Sequence, residues 1–216
     1  MTFATRALLL MALSWFSGLA AGSPATNFWR WFEKNQAKLY VVDVRSATMF
    51  DELSAQLEKV DPALTFEFGP VMPDGKREFV VSAGGIKKAF PAVEDLVRVA
   101  PSLPRWQVIK FRPRRTRLHN IEYAEIQVKV EDVRYLLAKD GEKVGVLLLM
   151  KGYQKEQHST YGNIAYLYLD EALGEYTVET QVGFVEIQSF ASKHYRDSLP
   201  LDNLADQVDD YFRKVH

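Results

Sequence analysis

The chain has 216 residues, 47% of them apolar and 12% aromatic, enough to build one sizeable core without a metal or a disulfide. Lysine plus arginine number 27 against 28 acids, and removing residues 1–23 takes away Arg6 and no acid, so the balance argues against a protein built to cover a nucleic acid. There is no cysteine, which excludes disulfides, thiol nucleophiles, thiolate zinc sites and lipid attachment through cysteine.

Residues 1–23 have the layout of a secretory signal peptide: Arg6, an apolar run over 7–21 centred on Leu8-Leu9-Leu10-Met11, and then Ala20, Ala21, Gly22 and Ser23 before Pro24. The run is about 15 residues long, short of the roughly 20 that span a bilayer. The expectation is cleavage near residues 20–23 and a periplasmic or secreted mature protein with no integral membrane segment. The alternatives are an uncleaved anchor, or a start codon placed too far upstream, which would make the protein cytoplasmic.

Asn27 is placed to cap a first helix carrying Phe28, Trp29, Trp31 and Phe32, rings expected in the core. Ser46 is placed to cap a second, with Phe50, Leu53, Leu57 and Val60 at helical spacing and Pro62 as its stop. Residues 64–68 alternate apolar and polar, and 77–82 form a second strand across the turn at Asp74-Gly75. Gly84-Gly85 breaks the chain before a helix opened by Pro91 and closed by Pro101, and 106–112 read as a third strand. The order then recurs. Residues 134–138 and 144–150 flank the turn 139–142, Thr160 is placed to cap a helix over 161–173 ended by Gly174, and 180–190 read as a strand. A short strand at 126–130 lies between the halves. A last amphipathic helix from Asp202 carries Leu204, Val208, Tyr211, Phe212 and Val215. The expected fold is α+β, a mixed or mainly antiparallel sheet with helices on one side. It forms one compact domain over 24–216, with a duplicated ββαβ unit proposed at about 62–115 and 126–190.

The segments FWRWF (28–32), FEFGP (66–70), FVVSAGG (79–85), FPAVEDLVRVAPSL (90–103) and FRPRR (111–115), with the later run 161–174, resemble a family of uncharacterised bacterial proteins. The resemblance covers roughly residues 28–190. It implies no activity, cofactor or catalytic residue, since none is established for that family, many of whose members look cytoplasmic.

Four constellations are candidates for function. On the first sheet, with Phe66, Phe68, Phe79, Val81, Ile109 and Phe111 facing the core, Glu67 and Glu78 share the outer face with Lys110 and Arg112. That group suits a polar ligand or acid–base work, and equally a solvated face of cross-strand ion pairs. Arg112, Arg114, Arg115 and Arg117, followed by His119 and Asn120, can grip phosphates or carboxylates, or form a solvated loop held by local acids such as Glu122 and Glu125. Ser82 to Lys88 can aim free N–H groups at an anion, or form a plain tight turn. Tyr161, Tyr166, Tyr168 and Tyr176 with Asn163 can line a sugar or peptide groove, or be half-buried core. His119, His158, His194 and His216 lack ligand spacing, so no metal site and no cofactor are expected. No G-x-S-x-G, H-E-x-x-H or dinucleotide glycine fingerprint is present. The expected function is non-enzymatic: an exported protein that binds a protein partner or an anionic ligand through Arg112, Arg114, Arg115, Arg117, Glu67 and Glu78. One alternative is a hydrolase using Glu67 and Glu78 as acid and base. The other is a regulatory module that contacts a cytoplasmic enzyme, which requires that residues 1–23 are not a signal peptide.

Overall fold

The structure, a computed structural model, describes residues 22–42 and 47–215. The signal-peptide reading of residues 1–21 and the cap expected at Ser46 lie outside the described residues.

Helix α1 (Pro24–Tyr40) opens on Ser23, whose Oγ accepts from the Thr26 N–H at 3.2 Å, with proline in the first turn. Asn27, the cap expected from sequence, lies inside this helix and donates back to the Gly22 carbonyl at 2.9 Å. The helix thus begins earlier than the aromatic run suggests. Phe28, Trp29, Phe32 and Leu39 form its buried stripe. Helix α2 (Ala47–Glu58) buries Leu53 and Leu57. Strands β1 (Thr65–Val71) and β2 (Arg77–Ser82) pair antiparallel, helix α3 (Phe90–Arg98) follows, and β3 (Trp106–Lys110) returns parallel to β2. β2 is the middle strand.

One face of this sheet meets all three helices. Phe79, at its centre, packs 4.7 Å from Phe32 and 6.2 Å from Phe28, measured between ring centroids. The Trp29 indole N–H donates to the Leu96 carbonyl at 2.7 Å, tying α1 to α3. Arg77 donates through Nη1 to the carbonyls of Leu39, Tyr40 and Val42, which satisfies the carbonyl end of α1 with a cation.

The second half begins with a small hairpin, β4 (Ile121–Tyr123) and β5 (Ile126–Val128). Strands β6 (Val133–Asp140) and β7 (Lys143–Met150) pair antiparallel. Helices α4 (His158–Leu173) and α5 (Glu175–Gln181) follow, and β8 (Val182–Ser189) runs parallel to β7. The two-residue β9 (Leu199–Pro200) pairs with β6, and α6 (Leu204–Val215) closes the chain. Sheet order is β8-β7-β6-β9. Val144, Val146, Leu148 and Met150 face a core shared with Ile164, Tyr168 and Leu169 of α4 and with Leu204 and Val208 of α6. Each half thus runs strand, strand, helix, strand, with the last strand parallel to the second and the second in the middle.

The class is α+β, as the periodicities indicate. Two local expectations change, and two short strands are added. Residues 180 and 181 belong to α5 rather than to a strand, and the Thr180 hydroxyl donates to the Tyr176 carbonyl one turn back. α4 starts at His158, so Thr160 is inside it and caps nothing. β4 and β9 are too short to show as an alternating run. Among the described residues, no helix is long and apolar enough to cross a membrane.

Candidate functional site

The two halves have separate cores and meet along the segment after β3 and the junction of α4 with α5. Helical spacing explains why α4 serves both sides. Tyr161, Ile164, Ala165, Tyr168, Leu169 and Ala172 form one stripe and are buried in the second core. Asn163, Tyr166, Leu167, Asp170 and Glu171 form another, and these line cavities between the halves. Of the four tyrosines singled out by density, Tyr161 and Tyr168 are therefore core. Tyr166 reaches the cleft, and Tyr176 stacks on Phe90 and packs tilted against Phe111 elsewhere.

The first sheet supplies the opposite wall. Glu67 and Glu78 do share its outer face: Glu67 stands opposite Val80, and the Glu78 carboxylate lies over Gly69. That face is not an open solvated surface, because Val80 and Ser82 are fully buried on it. The phase of β3 is the reverse of the expectation. Trp106 and Val108 join the first core, and Lys110 turns to the helix side, 3.7 Å from Glu94. Phe111 then takes a left-handed backbone, φ 61°, which a non-glycine residue adopts at a cost of about 1–3 kcal/mol. This break in alternation tucks the Phe111 ring against Phe90 (4.4 Å) and sends Arg112 back to the face that carries Glu67.

Arg112 joins the halves. Its Nε donates to Glu67 on β1, and its Nη1 donates to Asp170 on α4 at 3.2 Å. Arg115 donates to Glu78 at 2.9 Å, and Arg114 to Asp209 at 2.8 Å with Asp206 at 3.6 Å. Arg117 is exposed and pairs with no described residue. The acids expected to hold this run, Glu122 and Glu125, do not; the partners come from β1, β2, α4 and α6. The segment is further fastened by the Arg115 N–H to the Glu171 carbonyl and the His119 N–H to the Glu171 carboxylate.

The glycine turn after β2 is an anion-binding nest whose anion belongs to the chain itself. Glu175, fully buried at the start of α5, accepts through Oε1 from the N–H groups of Ala83 (2.9 Å) and Gly85 (3.2 Å). Its Oε2 accepts from the Arg112 N–H at 3.0 Å. The Gly84 N–H donates to Ser82 Oγ. Gly84 and Gly85 have φ of 59° and 77°, the left-handed conformation such a nest needs. Sequence reasoning found the turn but missed Glu175, which lies 90 residues further on than Gly85.

Two cavities of about 480 and 530 Å³ adjoin across Arg112, Leu167 and Asp170. The first is bounded by Gly84 and Gly85, by Tyr123 and Tyr166, and by Asp170 and Glu179. The second runs over Glu67, Arg115 and Glu171. The Asp170 side chain is 9% exposed. Burial pushes its carboxyl up to about 7, against the pull of Arg112, and the charge of Glu175 adds to the rise. Burial also raises Glu179, helped by Glu175 and opposed by Lys143 and Lys87. Burial works against the charge on Arg112, but Glu67, Asp170 and Glu175 outweigh it and hold its pKa above the ordinary value.

Comparison with family models, curated proteins and solved structures finds no match to this chain.

The chemistry of the cleft therefore rests on its own groups. Among the described residues, Asp170 Oδ1 and both Glu179 carboxylate oxygens receive no hydrogen bond, and the Tyr123 hydroxyl accepts from Asn163 at 3.1 Å. The amides that could greet an anion are already engaged. No three His, Asp or Glu side chains among the described residues converge in a way that could hold a metal ion.

Proposed function

We propose that this protein binds a small molecule in the cleft between its two halves and performs no chemistry on it. The observation that carries the reading is the cavity beside Asp170. It is polar at its floor, aromatic at its rim, built from both halves, and of a size typical for small-molecule sites, roughly 300–1,000 Å³. The arginine run contributes differently from the sequence expectation of an anion grip. Arg112, Arg114 and Arg115 hold acids of the chain itself, so they shape the cleft rather than present open charge. Glu67 and Glu78 are likewise each matched to a guanidinium, which gives a hydrolase built on that pair no geometric support.

The test is a backbone-resonance titration of the isotope-labelled protein with a library of small polar compounds. Binding in the cleft shifts the amides of Gly84, Gly85 and Asn163, and Leu167→Trp, which fills the wall shared by the two cavities, abolishes the shifts. Shifts confined to Arg117 and its exposed neighbours would refute the cleft and restore an arginine surface.

The proposal includes export, which the apolar run over residues 7–21 supports. Amino-terminal sequencing of the native protein after cell fractionation tests it. An intact leader on a cytosolic protein would remove this part and leave the cleft reading standing.

A further inference from the structure

We propose that the ligand of the cleft is an organic cation, whose ammonium or guanidinium head is met by Asp170 and Glu179 and by the rings of Tyr123 and Tyr166. This rests on the cleft-binding reading and names its chemical class.

Three independent features of one cavity point the same way. First, the backbone donors are closed. The Ala83, Gly85 and Arg112 amides are held by Glu175, and the Gly84 amide by Ser82. Two donor positions of the Arg112 guanidinium are held by Glu67 and Asp170. Second, the acceptors are open. Asp170 is more than nine-tenths buried, lines the cavity, and has an oxygen that no described residue hydrogen-bonds; Glu179 has two. A carboxylate oxygen of this kind, open to the cavity and without a protein partner, is free to accept from a donor that the ligand brings. Third, Tyr123 and Tyr166 stay 40% and 48% exposed on the same cavity, and tyrosine faces attract cations. Leu167 offers an apolar wall for an alkyl stem.

The charged groups around the two acids are mixed in sign, so the pull on a cation comes from the open carboxylate oxygens at short range. Asp170 faces Arg112, Glu175 and Glu179, and Glu179 faces Glu175, Lys143 and Lys87. Of the two lysines, Lys143 donates to the Val182 carbonyl and Lys87 is exposed. A cation entering here stabilises the ionised form of Asp170, whose carboxyl otherwise titrates near 7. Binding therefore releases a proton below that pH, and affinity falls as the solution is acidified.

The experiment is calorimetry and resonance titration with butylammonium, butane-1,4-diammonium and agmatine, against butan-1-ol and butyrate as neutral and anionic comparators. The cations are expected to shift Gly84, Gly85 and Asn163, and to bind about tenfold more weakly at pH 6 than at pH 8, one proton's worth for a group titrating near 7. Asp170→Asn should weaken binding at least tenfold and abolish the pH dependence. Glu179→Gln, at a half-buried position that disturbs the fold less, should weaken binding while keeping the pH dependence. If butanol or butyrate moves the same resonances as strongly as the amines, the cation assignment falls and the cleft reading stands. If no probe moves them at millimolar concentration, the cation assignment falls, and the cleft reading is decided by the wider library.

Discussion

Replacing Glu175 with alanine removes the one side chain that accepts three backbone N–H groups from the opposite half, at 2.9, 3.2 and 3.0 Å. Each orphaned donor would lose a bond to a charged acceptor, and a buried unsatisfied donor costs about 1–3 kcal/mol. Because the neighbouring cavity admits water to part of the vacancy, the three do not add in full, and the expected loss is about 3–5 kcal/mol. For a chain of this length that corresponds to roughly 6–20 °C in melting temperature. Glu175→Gln keeps one oxygen for Ala83 and Gly85 but turns an amide donor toward the Arg112 N–H. It should lose about 1–3 kcal/mol, less than alanine. Urea unfolding followed by circular dichroism gives both numbers. An alanine variant within 1 kcal/mol of wild type would show that the nest contributes nothing net, and that other contacts hold the halves together.

Three further outcomes follow from particular residues. Asp170 has a folded pKa near 7 against an ordinary 3.8, so the folded state binds its proton more tightly than the unfolded one. Its contribution to stability is fully present below about pH 4 and is lost as pH rises toward 7, so Asp170→Asn should flatten the decline in urea midpoint across that window. The buried Tyr135 hydroxyl has no partner among the described residues, whereas the Tyr168 hydroxyl donates to the Val128 carbonyl at 2.7 Å. Tyr135→Phe should be neutral or stabilising by up to about 1 kcal/mol, and Tyr168→Phe destabilising by about 1 kcal/mol, measured side by side by thermal melts. Gly174 has φ 83°, and a Cβ there would stand 3.1 Å from the Arg114 nitrogen, so Gly174→Ala should cost about 1–3 kcal/mol in the same assay.

Periodicity made the elements legible where one face differs sharply from the other. The α4 stripe from Tyr161 to Ala172 is an example, and the alternation of Phe66, Glu67 and Phe68 in β1 is another. It failed in β3, where Val108 and Ile109 are both apolar and either phase fits, and where the left-handed Phe111 resets the alternation. It failed again at α5, whose Thr-Val-Glu-Thr favours a strand on local propensity, while Glu175 is held in a helical turn by contacts with the other half. The arginines stood out by residue type, but their partners did not. The acids bonded to Arg112, Arg114 and Arg115 lie 37 to 95 residues away, beyond the reach of any local pattern. The cleft was half visible, since the glycine pair announced a nest and nothing in the sequence announced its occupant.

A receptor whose guest is covalently tethered never competes for free solute, so phosphate or sulfate in the surroundings leaves the Ala83–Gly85 loop untouched. Cutting the tether changes that. With glycine at position 175 the loop becomes a vacant port for a carboxylate of the size removed, and added propionate should restore part of the lost melting temperature where propionamide does not. The same loop that glues the halves together is then a place where an external acid could govern whether they stay joined.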